Sequence, residues 1–152
     1  MQNQGPVVDT LPDLDAHWDV VTWSRDYETG HTGIDSDHQR LLVLFNEFSQ
    51  AVNSGKGPVV IREVLDELTD YTHYHFAREE LIMQECDFPD YGRHKRMHET
   101  FIRQVEDVSK HYMNGGDLSA FLLSFLAKWL SGHILSADRQ LGRYLGENAA
   151  EH

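Results

Sequence analysis

Three turn-rich breaks, NSGKGP (53–58), CDFPDYG (86–92) and NGGD (114–117), cut most of the chain into four long segments, and each segment repeats its apolar residues at helical spacing. The first segment turns Ile34, His38, Leu41, Leu42, Phe45, Phe48 and Val52 to one face. The second does so with Ile61, Val64, Leu65, Leu68, Thr72, His75, Phe76, Glu79, Ile82 and Met83. The third gives His94, His98, Phe101, Ile102, Val105, Val108 and Tyr112. The fourth gives Leu118, Leu122, Phe125, Leu126, Trp129, His133, Ile134, Leu141 and Tyr144. Pro58 suits a first helical turn, Gly115 and Gly116 can end the third helix, and Asp117 can cap the fourth. Helices joined by breaks this short run antiparallel to their sequence neighbours, which predicts an all-α, up-down-up-down four-helix bundle.

Residues 1–16 mix Pro, Gly and acids without a period and read as a loose tail, and 147–152 read as a second one. The domain is then 17–146, with an N-terminal arm over 17–33 that lays Trp18, Trp23 and Tyr27 against the bundle. The formal charge of −12 disfavours nucleic acid phosphates and anionic lipid as partners. A single cysteine, Cys86, excludes an internal disulfide framework and reads as a bystander beside a turn. The acidic first twenty residues do not resemble a secretory signal, and no apolar run reads as long enough to span a bilayer, so the expected location is the cytoplasm. GKGP lacks the pattern of a phosphate-binding loop, and no surface identifies a protein partner.

The apolar stripes carry polar residues that do not belong in a core. In YTHYHFAREELIM (71–83), His75 and Glu79 fall on the inward stripe, whereas His73 and Glu80 fall on the outer face. His38, His94, His98 and His133 likewise point inward, so five of the ten histidines do. One such histidine is an ordinary satisfied core residue; five with a carboxylate are costly unless paired or bound to metal. Depth gives an independent test. From turn centres at 56, 88 and 115, His38 lies 18 residues back and His75 19 forward, Glu79 9 back and His98 10 forward, and His98 17 back and His133 18 forward. Each pair differs by one residue, about 1.5 Å of rise, so all four helices meet at one layer. Asp138 follows His133 by five residues and leaves the narrow stripe; from the adjoining edge of the apolar face it is predicted to turn inward, a locally widened turn being one means, against the alternative of a solvent-facing aspartate beside Arg139.

GIDSDHQRL, HFAREELIM, FPDYGRHKRMHETF and WLSGHILSAD together resemble the hemerythrins, especially the single-domain bacterial ones, over roughly Trp23 to Leu145. The resemblance implies two non-haem irons with a solvent-derived oxo or hydroxo bridge. His94, His98 and His133 would hold one, His38 and His75 the other, with Glu79 and Asp138 bridging both. It implies six-coordination at the first iron and five at the second, whose open position takes dioxygen reversibly with one electron from each iron. The expected function is oxygen carriage, storage or sensing rather than enzymatic turnover, with no catalytic residue assigned. An apolar lining drawn from Leu41, Phe76, Phe101, Trp129, Leu130 and Ile134 would keep water out. The sequence departs from the family's usual pattern in two places: Asp37 stands where Gln is common, and the lead-in TGHTGI with His31 is less apolar than usual.

Competing readings are a di-iron redox enzyme with peroxidase or nitric oxide chemistry, and a signalling module acting through a partner. A ferritin-like oxidase is disfavoured because its Glu-x-x-His motif occurs only at Glu28 and His31, before the bundle. A binuclear zinc hydrolase is disfavoured because HETF lacks the second histidine of HExxH.

Overall fold

The computed structural model describes residues 21–113 and 119–149. The expected tail over 1–16, Trp18, the NGGD break with the cap at Asp117, and Leu118 lie outside the described residues. Four long helices run α1 (Thr32–Asn53), α2 (Pro58–Glu85), α3 (Tyr91–Met113) and α4 (Ser119–His133). The last continues through a π-helical turn, Ile134–Asp138, into α5 (Arg139–Ala149). Among the described residues every regular element is helical, as the periodicity requires. Helix α5 reaches Ala149, three residues into the stretch 147–152 expected as a C-terminal tail.

Local chemistry sets the ends. Pro58 opens α2, where its missing N–H costs nothing. The His31 ring caps α1, its Nδ1 accepting the Ile34 N–H at 3.1 Å. A short 3-10 turn, Arg25–Tyr27, carries the arm, where Tyr27 is buried and stacks on Trp23 with ring centres 5.5 Å apart. Asn46 stitches the arm to α1 by accepting from the Val21 N–H at 2.8 Å and donating to the Val21 carbonyl at 2.9 Å.

The apolar interior is split in two. A large cluster includes Leu41, Phe45, Phe48, Leu65, Leu68, Phe76, Phe101, Leu126 and Leu130; a small one holds Ile34, Met83, Phe88 and Leu141. Two of the inward polar residues lie between members of the two clusters on their own helices, His38 between Ile34 and Leu41 and Glu79 between Phe76 and Met83, and His75 stands one α-turn from Glu79. On the last two strokes His94 and His98 precede Phe101, while His133 and Asp138 fall between Leu130 and Leu141. A polar layer thus lies between two dry ones. The stretch Ser119–Asn148 is long and apolar enough to cross a membrane, which corrects the sequence expectation; 56% of its most apolar window is buried inside the bundle. Charges at Lys128, Arg139 and Arg143 disguise that run when the sequence is read residue by residue.

Candidate metal centre

All seven donors named from the sequence come together, and none is more than 5% exposed. They fall into two groups of mutually close ligand atoms: His94, His98 and His133 with Glu79 and Asp138, and His38 and His75 with the same two carboxylates. Each carboxylate divides its oxygens between the groups. Glu79 Oε1 lies 3.3 Å from His94 Nε2 and 3.2 Å from His98 Nε2, while its Oε2 lies 2.9 Å from His75 Nε2 and 3.4 Å from His38 Nε2. Asp138 Oδ1 faces His94 Nε2 at 3.0 Å and His133 Nε2 at 3.1 Å, and its Oδ2 faces His38 Nε2 at 2.9 Å.

Asp138 reaches this position because of the π-helical turn. A π-helix bonds residue i to i+5, so it places Asp138 over His133, whereas an α-helical path would leave them about 140° apart. His75 and Glu79 need no such device, being one α-turn apart on α2. His73 is exposed and takes no part.

Two acidic residues outside the seven hold ligand rings from behind, and sequence reasoning did not assign them that role. The His75 Nδ1–H donates to Asp37 Oδ2 at 2.9 Å, and the His98 Nδ1–H donates to Glu80 Oε2 at 3.0 Å. Such partners fix the tautomer that leaves Nε2 free. Aromatic rings back the three-histidine side: Phe76 lies flat on His98 at 3.7 Å and Trp129 on His133 at 4.3 Å, with Phe101 stacked on Trp129 at 3.9 Å. Leu41, Phe101, Leu130 and Ile134 are buried as well, and Trp129 is half-buried.

Burial and charge compete across the cluster. Burial opposes a charged imidazole at His38, but Asp138 and Glu79 outweigh it and hold the ring's pKa up at about 10. The same balance holds His94 at about 9. At His133 burial prevails over Asp138 and the pKa falls. Burial would raise Glu79, yet His75, His38 and His94 hold it well below the usual carboxylate range. Burial and the Glu79 charge would raise Asp138, yet His133 and His38 hold it low too. Both carboxylates are therefore anions with no solvent. Even so, His38, His94, His98 and His133 Nε2, Glu79 Oε1 and Asp138 Oδ1 are buried with no well-formed hydrogen bond among the described residues. Buried polar atoms are rarely left so. Five imidazoles and two carboxylates converging this way fit two transition-metal ions with nitrogen and oxygen ligands.

The chain matches the family described as Hemerythrin HHE cation binding domain over residues 29–145. It is 36% identical over 137 residues to a bacteriohemerythrin of Stenotrophomonas maltophilia, covering 88% of this chain and 89% of that protein. A bacteriohemerythrin of Pseudomonas aeruginosa is 36% identical over 118 residues, covering 78% of this chain and 76% of its own length. A crystal structure of wild-type hemerythrin superposes with a TM-score of 0.75 at 26% identity, covering 82% of this chain and 97% of that one.

Proposed function

The chain belongs to the hemerythrin family, and on that premise we propose that it binds dioxygen reversibly at two non-haem irons. The ligands in this reading are His38, His75, Glu79, His94, His98, His133 and Asp138. The observation that carries it is the division of oxygens: Glu79 and Asp138 each turn one oxygen to the three-histidine group and the other to the two-histidine group. Carboxylates so placed suit two neighbouring cations rather than one. The count of five donors against four then makes the second position the less saturated. These seven residues would hold two ferrous ions, which would supply the two electrons that reversible dioxygen capture uses.

The rest is the work of the chain's own residues. Asp37 and Glu80 orient two of the imidazoles. The two apolar clusters and the contacting rings of Phe76, Phe101 and Trp129 exclude water, which would protect a reactive centre from loss of its bound ligand. We read the chain as an oxygen binder rather than an enzyme, serving carriage, storage or sensing; among the described residues the buried carboxylates and imidazoles are the seven donors and Asp37, which backs one of them.

The test is anaerobic loading with ferrous iron, exposure to oxygen, and removal of oxygen. Two irons per chain and a visible absorption band that comes and goes with oxygen are expected. Irreversible oxidation with turnover of an added reductant would replace the binding reading with the redox-enzyme one.

A further inference from the structure

The family reading leaves Asp37 and the lead-in TGHTGI without a role, and the structure joins them. Asp37 is 3% exposed and its two oxygens meet three partners. The Tyr71 hydroxyl donates to Oδ1 at 3.0 Å, the His75 Nδ1–H donates to Oδ2 at 2.9 Å, and Arg78 Nε lies 2.7 Å from Oδ2. A buried carboxylate needs such partners, because an isolated one costs far too much. Arg78 comes from the surface, 38% exposed, and is steadied by Tyr74, whose hydroxyl accepts from it at 2.8 Å and whose ring its guanidinium overlies at 5.5 Å. Gly33 supplies the room: a Cβ there would sit 3.3 Å from the Arg78 guanidinium and 3.2 Å from the His31 ring that caps α1. The unusual lead-in therefore clears the path by which Arg78 reaches Asp37.

We propose that Asp37, with Arg78 as its charge partner, is the positioning residue of the two-histidine side, fixing His75 with Nδ1 protonated and Nε2 turned to the ion. A neutral amide at position 37 could accept the same hydrogen bond, but it would give His75 no negative charge behind the ring and Arg78 nothing to pair with. The influence is local. Among the described contacts Asp37 touches His75 and none of the three histidines of the other group, where Glu80 supports His98. This inference rests on the two-ion reading, and the experiment separates the two.

Cobalt(II) is titrated into the metal-free protein against a competing chelator, with the unaltered chain, Asp37→Asn and Asp37→Gln, the last a second neutral variant should the first not fold. In the unaltered chain two ions bind. In either variant the weaker ion is expected to lose about tenfold in affinity while the tighter one is unchanged. A second readout needs no metal: Arg78→Gln should lower the Tm of the unaltered chain by roughly 2–4 °C and leave that of Asp37→Asn or Asp37→Gln in place. Fewer than two ions in the unaltered chain overturns the two-ion reading and this inference with it. Two ions with unchanged constants in the variants, or equal losses at both ions, overturns this inference alone. So does the same Tm shift from Arg78→Gln in both backgrounds.

Discussion

Metal uptake at this centre would displace protons from its charged rings. His38 is held at about 10 and His94 at about 9, so at pH 7 both rings are charged in the metal-free protein, paired with Asp138 and Glu79. A metal ligand must be neutral imidazole. Loading both groups therefore releases at least two protons, one from a ring in each. Each proton is worth about 1.36 kcal/mol per pH unit, so two give about 2.7 kcal/mol. The product of the two binding constants should then rise about 100-fold per unit between roughly pH 7 and 8, where both rings are still charged. The same rings act oppositely on the metal-free fold. Their folded pKa values lie above the ordinary 6.5, so the stability they contribute is complete below about pH 6.5 and is lost as pH rises towards 9 and 10. Calorimetry with zinc or cobalt in two buffers of different ionisation heat at pH 7 measures the release directly. Release clearly below two protons, or affinity flat between pH 7 and 8, would refute the charged-ring account of the metal-free centre.

Three further outcomes test the geometry. His75→Ala is expected to lose the two-histidine ion and oxygen binding, while His73→Ala, exposed on the opposite face of α2, keeps both; metal analysis and the visible spectrum report on this, and equal damage would reject the facing argument. Glu79→Ala should lose both ions, because its oxygens serve both groups, and retention of one tightly bound ion would contradict the shared bridge. Gly142→Ala drives a Cβ into the Thr29 carbonyl oxygen, a backbone atom. Overpacking of that kind typically costs 1–3 kcal/mol, so a clear loss of Tm is expected, and an unchanged melting curve would show that the arm shifts without cost.

The helix stripes and the depth match made most of the centre legible, because burial restricts imidazoles and carboxylates so strongly that five histidines on four inward faces at one height have few explanations. Asp138 was harder. Five residues after His133 it is off the stripe on an ideal helix, and only a widened turn, seen at Ile134–Asp138, brings it back. Asp37 and Glu80 were not legible as partners of ligand rings. Asp37 sits one residue, or about 100°, from His38 on α1, and its role depends on a ring and a guanidinium of α2. Glu80 stands away from the α2 stripe, and what gives it a function is the neighbouring α3, which brings His98 to it. Single-helix periodicity describes one face at a time, so a residue that works across the seam between two helices leaves no mark in it.

The turn at Ile134–Asp138 also behaves like a change of reading frame written into backbone. One residue more than an α-turn rotates every later side chain by about 100°. The phase that brings Asp138 under His133 therefore also sets which residues of α5 meet the rest of the molecule: Leu141 in the lower core, and Gly142 against the arm at Thr29. Deleting one residue between 134 and 137 would restore a regular helix with the aspartate four residues after His133 and both faces kept in phase; straightening the turn with every residue kept would rotate the ligand and the docking face of α5 away together. Chemistry and closure of the bundle thus share one insertion, and the chain cannot lose one of them by that route while keeping the other.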